Sequence, residues 1–179
     1  MSVHPTADDV TRTVLREARD ALDESVTKIR HCLNQLSEEQ VWWRPHDSMN
    51  SIGNLILHLA GNARQWMVSG LGGSADVRDR PSEFSQRSSV PKAALLENLE
   101  QVVRETTAVF DRLSAVEMST ERKIQGFSVT GWNALFHCIP HFKGHTQEII
   151  SLTRMQLKEG YQFHWQPKTP EQGAASGAR

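Results

Sequence analysis

Cysteine is nearly absent from this chain: Cys32 and Cys138 are the only two among 179 residues, and no Cys-x-x-Cys pair occurs. Two isolated thiols exclude a disulfide framework and a thiolate zinc site, and they fit reduced, structural side chains. No apolar run of about 18 residues is present to span a bilayer. Residues 1–9 lack the basic, apolar and small-residue order of a signal peptide. The expected location is the cytoplasm, with no membrane partner. An excess of either charge is missing too, since 20 basic and 21 acidic side chains leave a net charge of -1. No overall field gathers nucleic acid on such a surface, so nucleic acid is not an expected partner. Strand patterning, internal repeats and sustained heptads are likewise missing.

What is present is helical spacing. From about Thr6 to Leu36, Val10, Val14, Ala18, Ala21, Leu22, Ile29 and Leu33 recur at three- and four-residue steps. Ser37 and Gln40 form a capping box for a short turn through Val41 and Trp42, and Pro45, Asp47 and Ser48 then break the chain. A second long helix begins near Asn50 or Ser51, carries Ile52, Leu55, Ile56, Leu59, Ala63, Trp66 and Met67, and stops at Gly70, Gly72 and Gly73. Residues 74–90 contain Pro81 and many serines without a period, and read as a long connection crossing between the ends of a bundle. Pro91 opens a third helix through Leu95, Leu99, Val102, Val103, Val109, Phe110 and Leu113 to near Ser114. After a second loop, a fourth helix runs from about Thr130 to about Lys158 with Leu135, Ile139, Phe142, Ile149, Leu152 and Met155.

Four helices with one crossover describe an all-α four-helix bundle. The length and the 38% hydrophobic fraction suit one core. The expected division is therefore one bundle domain over residues 1–166 and a small, polar, loosely ordered tail over 167–179. Expected core residues are Leu55, Leu59, Trp66, Leu99, Phe110, Leu135, Phe142 and Leu152. Leu57 and Val68 lie away from the Leu55, Leu59 and Ala63 stripe, which predicts a homodimer unless the 74–90 connection covers that second face.

Histidine is the enriched residue. Eight in 179 is roughly double an average composition, and three of them crowd between positions 137 and 145. His141 and His145 stand one helical turn apart on nearly one azimuth, the chelating geometry of a helical His-x-x-x-His pair. A metal site needs a partner on another helix, and His58 is the candidate. The second helix carries Arg64 as its only charge between Asn50 and Gly73, so it should be buried. On it Asn54, His58, Asn62 and Gln65 form an uncharged polar stripe that suits a cavity wall or the support of a metal site. The alternative is a mild solvent-facing stripe, which normally carries Lys, Glu or Arg, and this one has none. Glu148 shares the azimuth of the pair and is the catalytic candidate; it can orient a ligand, accept a proton from bound water, or simply end the polar rim. His137 is a flanking residue, because Pro140 should kink the helix between it and His141. His4, His31, His46 and His164 have no matching partners.

The blocks NSIGNLILHLAGNARQW, RDRPSEF and HCIPHFKGHTQEII, within a stretch from about Leu36 to Leu157, resemble the DinB superfamily, also called DinB/YfiT-like. The resemblance implies an up-down-down-up four-helix bundle with a long crossover between helices 2 and 3, frequently dimeric. It implies a three-His site at His58, His141 and His145 for one divalent ion, nickel, zinc or iron. Where many relatives have Gln three residues after the last ligand, this chain has Glu148. RDRPSEF, residues 78–84, looks like a subfamily feature with no role derivable from its residues.

Three neutral His ligands leave a coordination position open, the arrangement of catalytic sites. The expected function is a metal-dependent enzyme acting on a small molecule. Transfer using a low-molecular-weight thiol cosubstrate is favoured by resemblance, ahead of hydrolysis. The alternative is a non-enzymatic, stress-associated metal-binding or dimerisation bundle in which the ion only cross-links helices.

Overall fold

Thr6, Ser37, Ser51, Ser114 and Thr130 start their helices in one way. Each hydroxyl accepts from the backbone N–H three residues on, and the side chain there (Asp9, Gln40, Asn54, Glu117, Asn133) accepts from the cap's own N–H. Such reciprocal caps satisfy donors that a helix start leaves open, and each typically contributes about 1 kcal/mol. The computed structural model of the chain describes residues 4–87 and 90–166. The tail expected over 167–179 lies outside the described residues.

The long helices are α1 (Ala7–Gln35), α3 (Ile52–Ala63), α5 (Lys92–Phe110) and α7 (Gly131–Leu157); α2 (Glu38–Trp42), α4 (Arg80–Ser85) and α6 (Ala115–Ser119) are short. Beyond Ala63, α3 continues as a π-helical turn over Arg64–Ser69. Cross-helix contacts give the directions. Arg64 pairs with Glu105, and Gly72 meets Val109, so α3 and α5 run parallel. Arg19 bonds Asp111 and Arg30 bonds Glu100, so α1 runs against α5. Lys143 reaches Glu24 and Gln162 bonds His31, so α7 runs with α1. His58 meets His141 while Trp66 meets His137, so α7 runs against α3. The bundle is therefore up-down-down-up, and a parallel α3 and α5 require the connection between them to cross its full length.

All eight expected core residues are buried, with Leu55, Leu59 and Leu99 fully so. The second apolar face of α3 is covered within the chain. Val68 is buried, and Leu57 is half-buried beside Asn98 and Val102 of α5 and Ser82 of the crossover. No described helix is long and apolar enough to cross a membrane.

Two parts of the chain read as loops hold structure. The crossover contains α4, because Asp79 accepts from the Ser82 N–H and Pro81 occupies the first turn. Between α6 and α7 lies an antiparallel hairpin, β1 (Glu121–Ile124) with β2 (Phe127–Thr130). Its two-residue turn has Gln125 at φ 53° and Gly126 at φ 84°. Two positive φ values define the tight turn whose twist matches the strands, and glycine takes the second at no steric cost. Ile124 at its end is 3% exposed and anchors the hairpin in the core. Helix α7 passes through Pro140 without interruption. Pro140 and Phe136 are both exposed, where water can satisfy the Phe136 carbonyl that loses its donor.

Candidate metal centre

His58, on the α7-facing side of α3, and His141 and His145, one turn apart on α7, bring one ring nitrogen each within 4.8 Å of one another. His58 is buried; His141 and His145 are half-buried and border the approach from solvent. The ring centroids form a triangle of 5.0, 5.2 and 4.5 Å. His58 Nε2 and His141 Nε2 are 2.9 Å apart and share one proton in a hydrogen bond. Two imidazole nitrogens bound at right angles to one ion at about 2.1 Å stand about 3 Å apart.

The far sides of two of these rings are held by carboxylates. His145 Nδ1 donates to Glu148 Oε2 at 2.7 Å. His58 Nδ1 donates to Glu83 Oε2 at 2.9 Å. A proton fixed on Nδ1 leaves the Nε2 lone pair directed inward, the usual support of a metal-bound imidazole. Glu83 comes from α4 and is itself clasped by Arg78, through Nε to Oε1 at 2.7 Å and Nη2 to Oε2 at 2.8 Å. The Arg78 and Glu83 side chains are 3% and 8% exposed. Burial alone would raise the Glu83 carboxyl; the hydrogen bonds from Arg78 and His58 outweigh it and hold the group below the usual carboxylate range. Glu83 therefore stays charged. This approach needs Gly61, since a Cβ there would stand 2.0 Å from Glu83 Oε1.

His141 is held neutral by its surroundings. Burial first, then the neighbouring His145, His58 and His137 rings and Arg78, push its pKa down to about 4. A neutral ring is the metal-binding form. The residues thus fit a divalent ion on three counts: the convergence of three nitrogens, the carboxylates behind His58 and His145, and a neutral His141. Among the described residues no fourth His, Cys, Asp or Glu joins the group. His137 is outside it, packed on Trp66 at 4.0 Å with the rings tilted by 32°, and parallel to His141 at 5.7 Å.

The rest of the polar stripe serves the crossover. Asn54 Nδ2 donates to the Glu83 and Gln86 carbonyls at 2.8 and 3.1 Å, and its Oδ1 accepts from Ser51 and Arg44. Gln65 donates to Asp76 and accepts from Arg78, each at 2.8 Å. Asn54 and Gln65 thus act on His58 through the segment that carries Arg78 and Glu83. Asn62 is buried, and no hydrogen bond joins it to the three rings. The stripe was legible, whereas its partners Arg78 and Glu83 were not, because they come from the stretch without periodicity. The signal that was available is the Asp79-Arg-Pro-Ser82 start of a helix inside that stretch.

The model of the family described as "Protein of unknown function (DUF1572)" matches residues 9–169. The chain belongs to this family. DUF1572 thus accounts for nearly all of the described structure. Among solved structures, a conserved protein from Enterococcus faecalis superposes with a TM-score of 0.69 at 18% identity, covering 79% of this chain and 96% of that one. A DinB-like protein from Bacillus subtilis superposes at 0.62 and 15% identity, covering 84% and 99%. At these identities the likeness establishes a shared fold. No curated protein matches the sequence.

Proposed function

We propose that this DUF1572 protein holds one divalent ion, nickel, zinc or iron, between His58, His141 and His145 and acts as an enzyme on a small molecule. The observation that carries the reading is a convergent set of three imidazoles with no fourth protein ligand among the described residues. A structural ion is normally closed off by four protein ligands, and a catalytic one keeps a position for substrate or water. A bound ion supplies Lewis acidity and a place where a thiolate or water binds as an anion.

The chain's own groups do the rest. Glu83 and Glu148 fix the His58 and His145 rings. Glu148 is the candidate proton acceptor: its side chain is 40% exposed, and one carboxylate oxygen is not used by His145. In thiol transfer, the thiol proton passes to that oxygen, sulfur bonds to an electrophilic carbon, and the leaving group departs with its electron pair. Hydrolysis uses the same oxygen to take a proton from water.

The test uses protein isolated without a chelating tag. Elemental analysis should find about one divalent ion per chain. Thiol consumption with an aryl halide should depend on that ion and fall in Glu148→Gln. A full complement of metal with no metal-dependent thiol transfer or ester hydrolysis would remove the enzymatic reading in favour of a non-catalytic, ion-stabilised bundle.

A further inference from the structure

We infer that Arg80 recognises a carboxylate on the small molecule handled at this centre, an inference that rests on the open-site reading above. The RDRPSEF segment supplies the argument residue by residue. Arg78 and Glu83 hold His58, Asp79 caps α4, and Pro81 opens it. Arg80 and Phe84 are left, four residues apart and therefore on one face of α4. Their side chains meet: the Arg80 guanidinium lies 4.9 Å from the Phe84 ring centre, and that ring lies 4.8 Å from the His58 ring. One aromatic ring separates a cation from a metal-ligating imidazole.

The position of this pair is at the mouth. His58 is buried while Phe84, His141 and His145 are half-buried, so Phe84 stands with the two α7 rings on the solvent side of His58. Arg80 is exposed, and no carboxylate pairs with it among the described residues, in contrast to Arg30, Arg64 and Arg78. A guanidinium laid on an aromatic face keeps its in-plane N–H groups free, and these match a carboxylate as a two-pronged donor. A carboxylate is drawn to Arg80, and that charge orients a ligand whose other end reaches the ion.

The experiment uses full-length protein loaded with cobalt(II), whose thiolate charge-transfer band reports sulfur bound to the ion. Mercaptopropionate, neutral mercaptoethanol and cationic cysteamine are titrated in turn. Mercaptopropionate should saturate the band at about three- to tenfold lower concentration than mercaptoethanol, with cysteamine weakest. The ion itself favours anions, and the probes differ in thiol acidity, so the deciding quantity is the change on substitution. In Arg80→Gln the preference should shrink to the part set by the ion and by thiol acidity, and Arg80→Lys should restore some of the difference, with circular dichroism confirming the fold. A preference that survives Arg80→Gln intact overturns the inference and leaves the open-site reading standing. No band with any probe overturns that reading and the inference with it.

Discussion

Glu83 Oε2 accepts from His58 Nδ1 at 2.9 Å across 25 residues of chain, with both side chains under 9% exposed. The contact joins the crossover to the metal centre. It explains why a stretch without helical or strand periodicity adopts a defined path: Arg78 neutralises a carboxylate that could not otherwise be buried, and that carboxylate fixes a ring.

Glu83→Gln should therefore weaken metal binding by about 10- to 100-fold, the usual cost of removing a carboxylate behind a metal-bound imidazole. It also leaves Arg78 buried without its counter-charge, which should lower stability by about 3–5 kcal/mol. Chelator competition reads the first effect and urea denaturation the second. Unchanged affinity would place Glu83 outside the metal centre's function.

His58→Ala should lose nearly all bound metal while remaining helical, because the bundle is held mainly by apolar burial around Leu55, Leu59 and Leu99. His137→Ala should keep it, since His137 stacks on Trp66 and His141 and offers no converging nitrogen. Elemental analysis of both variants decides. Full occupancy in His58→Ala, or loss confined to His137→Ala, contradicts the assignment.

Gly61→Ala tests the same linkage without removing a polar group. The added methyl group would lie 2.0 Å from Glu83 Oε1 and 3.0 Å from Arg78 Nε, so the pair must shift away from His58. The expected outcome is weaker metal binding in the direction of Glu83→Gln, with the secondary structure retained. Wild-type affinity in Gly61→Ala would show that the Arg78–Glu83 clasp can move without disturbing the ring.

The metal-free protein should lose stability as pH falls below about 6.5. Burial and the neighbouring His rings depress His141 to about 4, below its value in the unfolded chain. Between those two values the unfolded chain binds a proton that folded His141 refuses, so stability declines across that window and this contribution levels off below about 4. Glu83, also depressed in the fold, adds a loss at lower pH as it protonates. Thermal melts from pH 7.5 to 4.5 should fall less steeply in His141→Gln than in wild type. Identical slopes would mean that His141 does not carry the effect.

The bundle was legible because each long helix carries its apolar residues at one period, and three of the four begin on a Ser or Thr cap while α5 begins at Pro91. The triad was legible because four-residue spacing on α7 needs a partner, and α3 offers one histidine in an uncharged stripe. The Arg78–Glu83 clasp was not, since residues of no period gain their order from the helix they lie on. The hairpin escaped for a different reason. Its two four-residue strands are too short for alternation to show, and its clearest signal is the Gln125-Gly126 turn. Asn54 and Gln65 both bond the crossover, and a polar face in a sequence does not disclose whether it meets a ligand or another stretch of the chain.

Arg64–Ser69 stores one spare residue inside a helix. A turn closed by i→i+5 bonds holds one residue more than an α-turn, so the chain there is longer than its span requires. Deleting one residue from it would let the helix close as α while Gly70 and Gly72 keep their places beside Ile124 and Val109. The same deletion between Asn54 and His58 would rotate the following residues by about 100° and turn the His58 ring away from α7. The fold thus has an uneven tolerance to changes in length, slack below the metal centre and none above it.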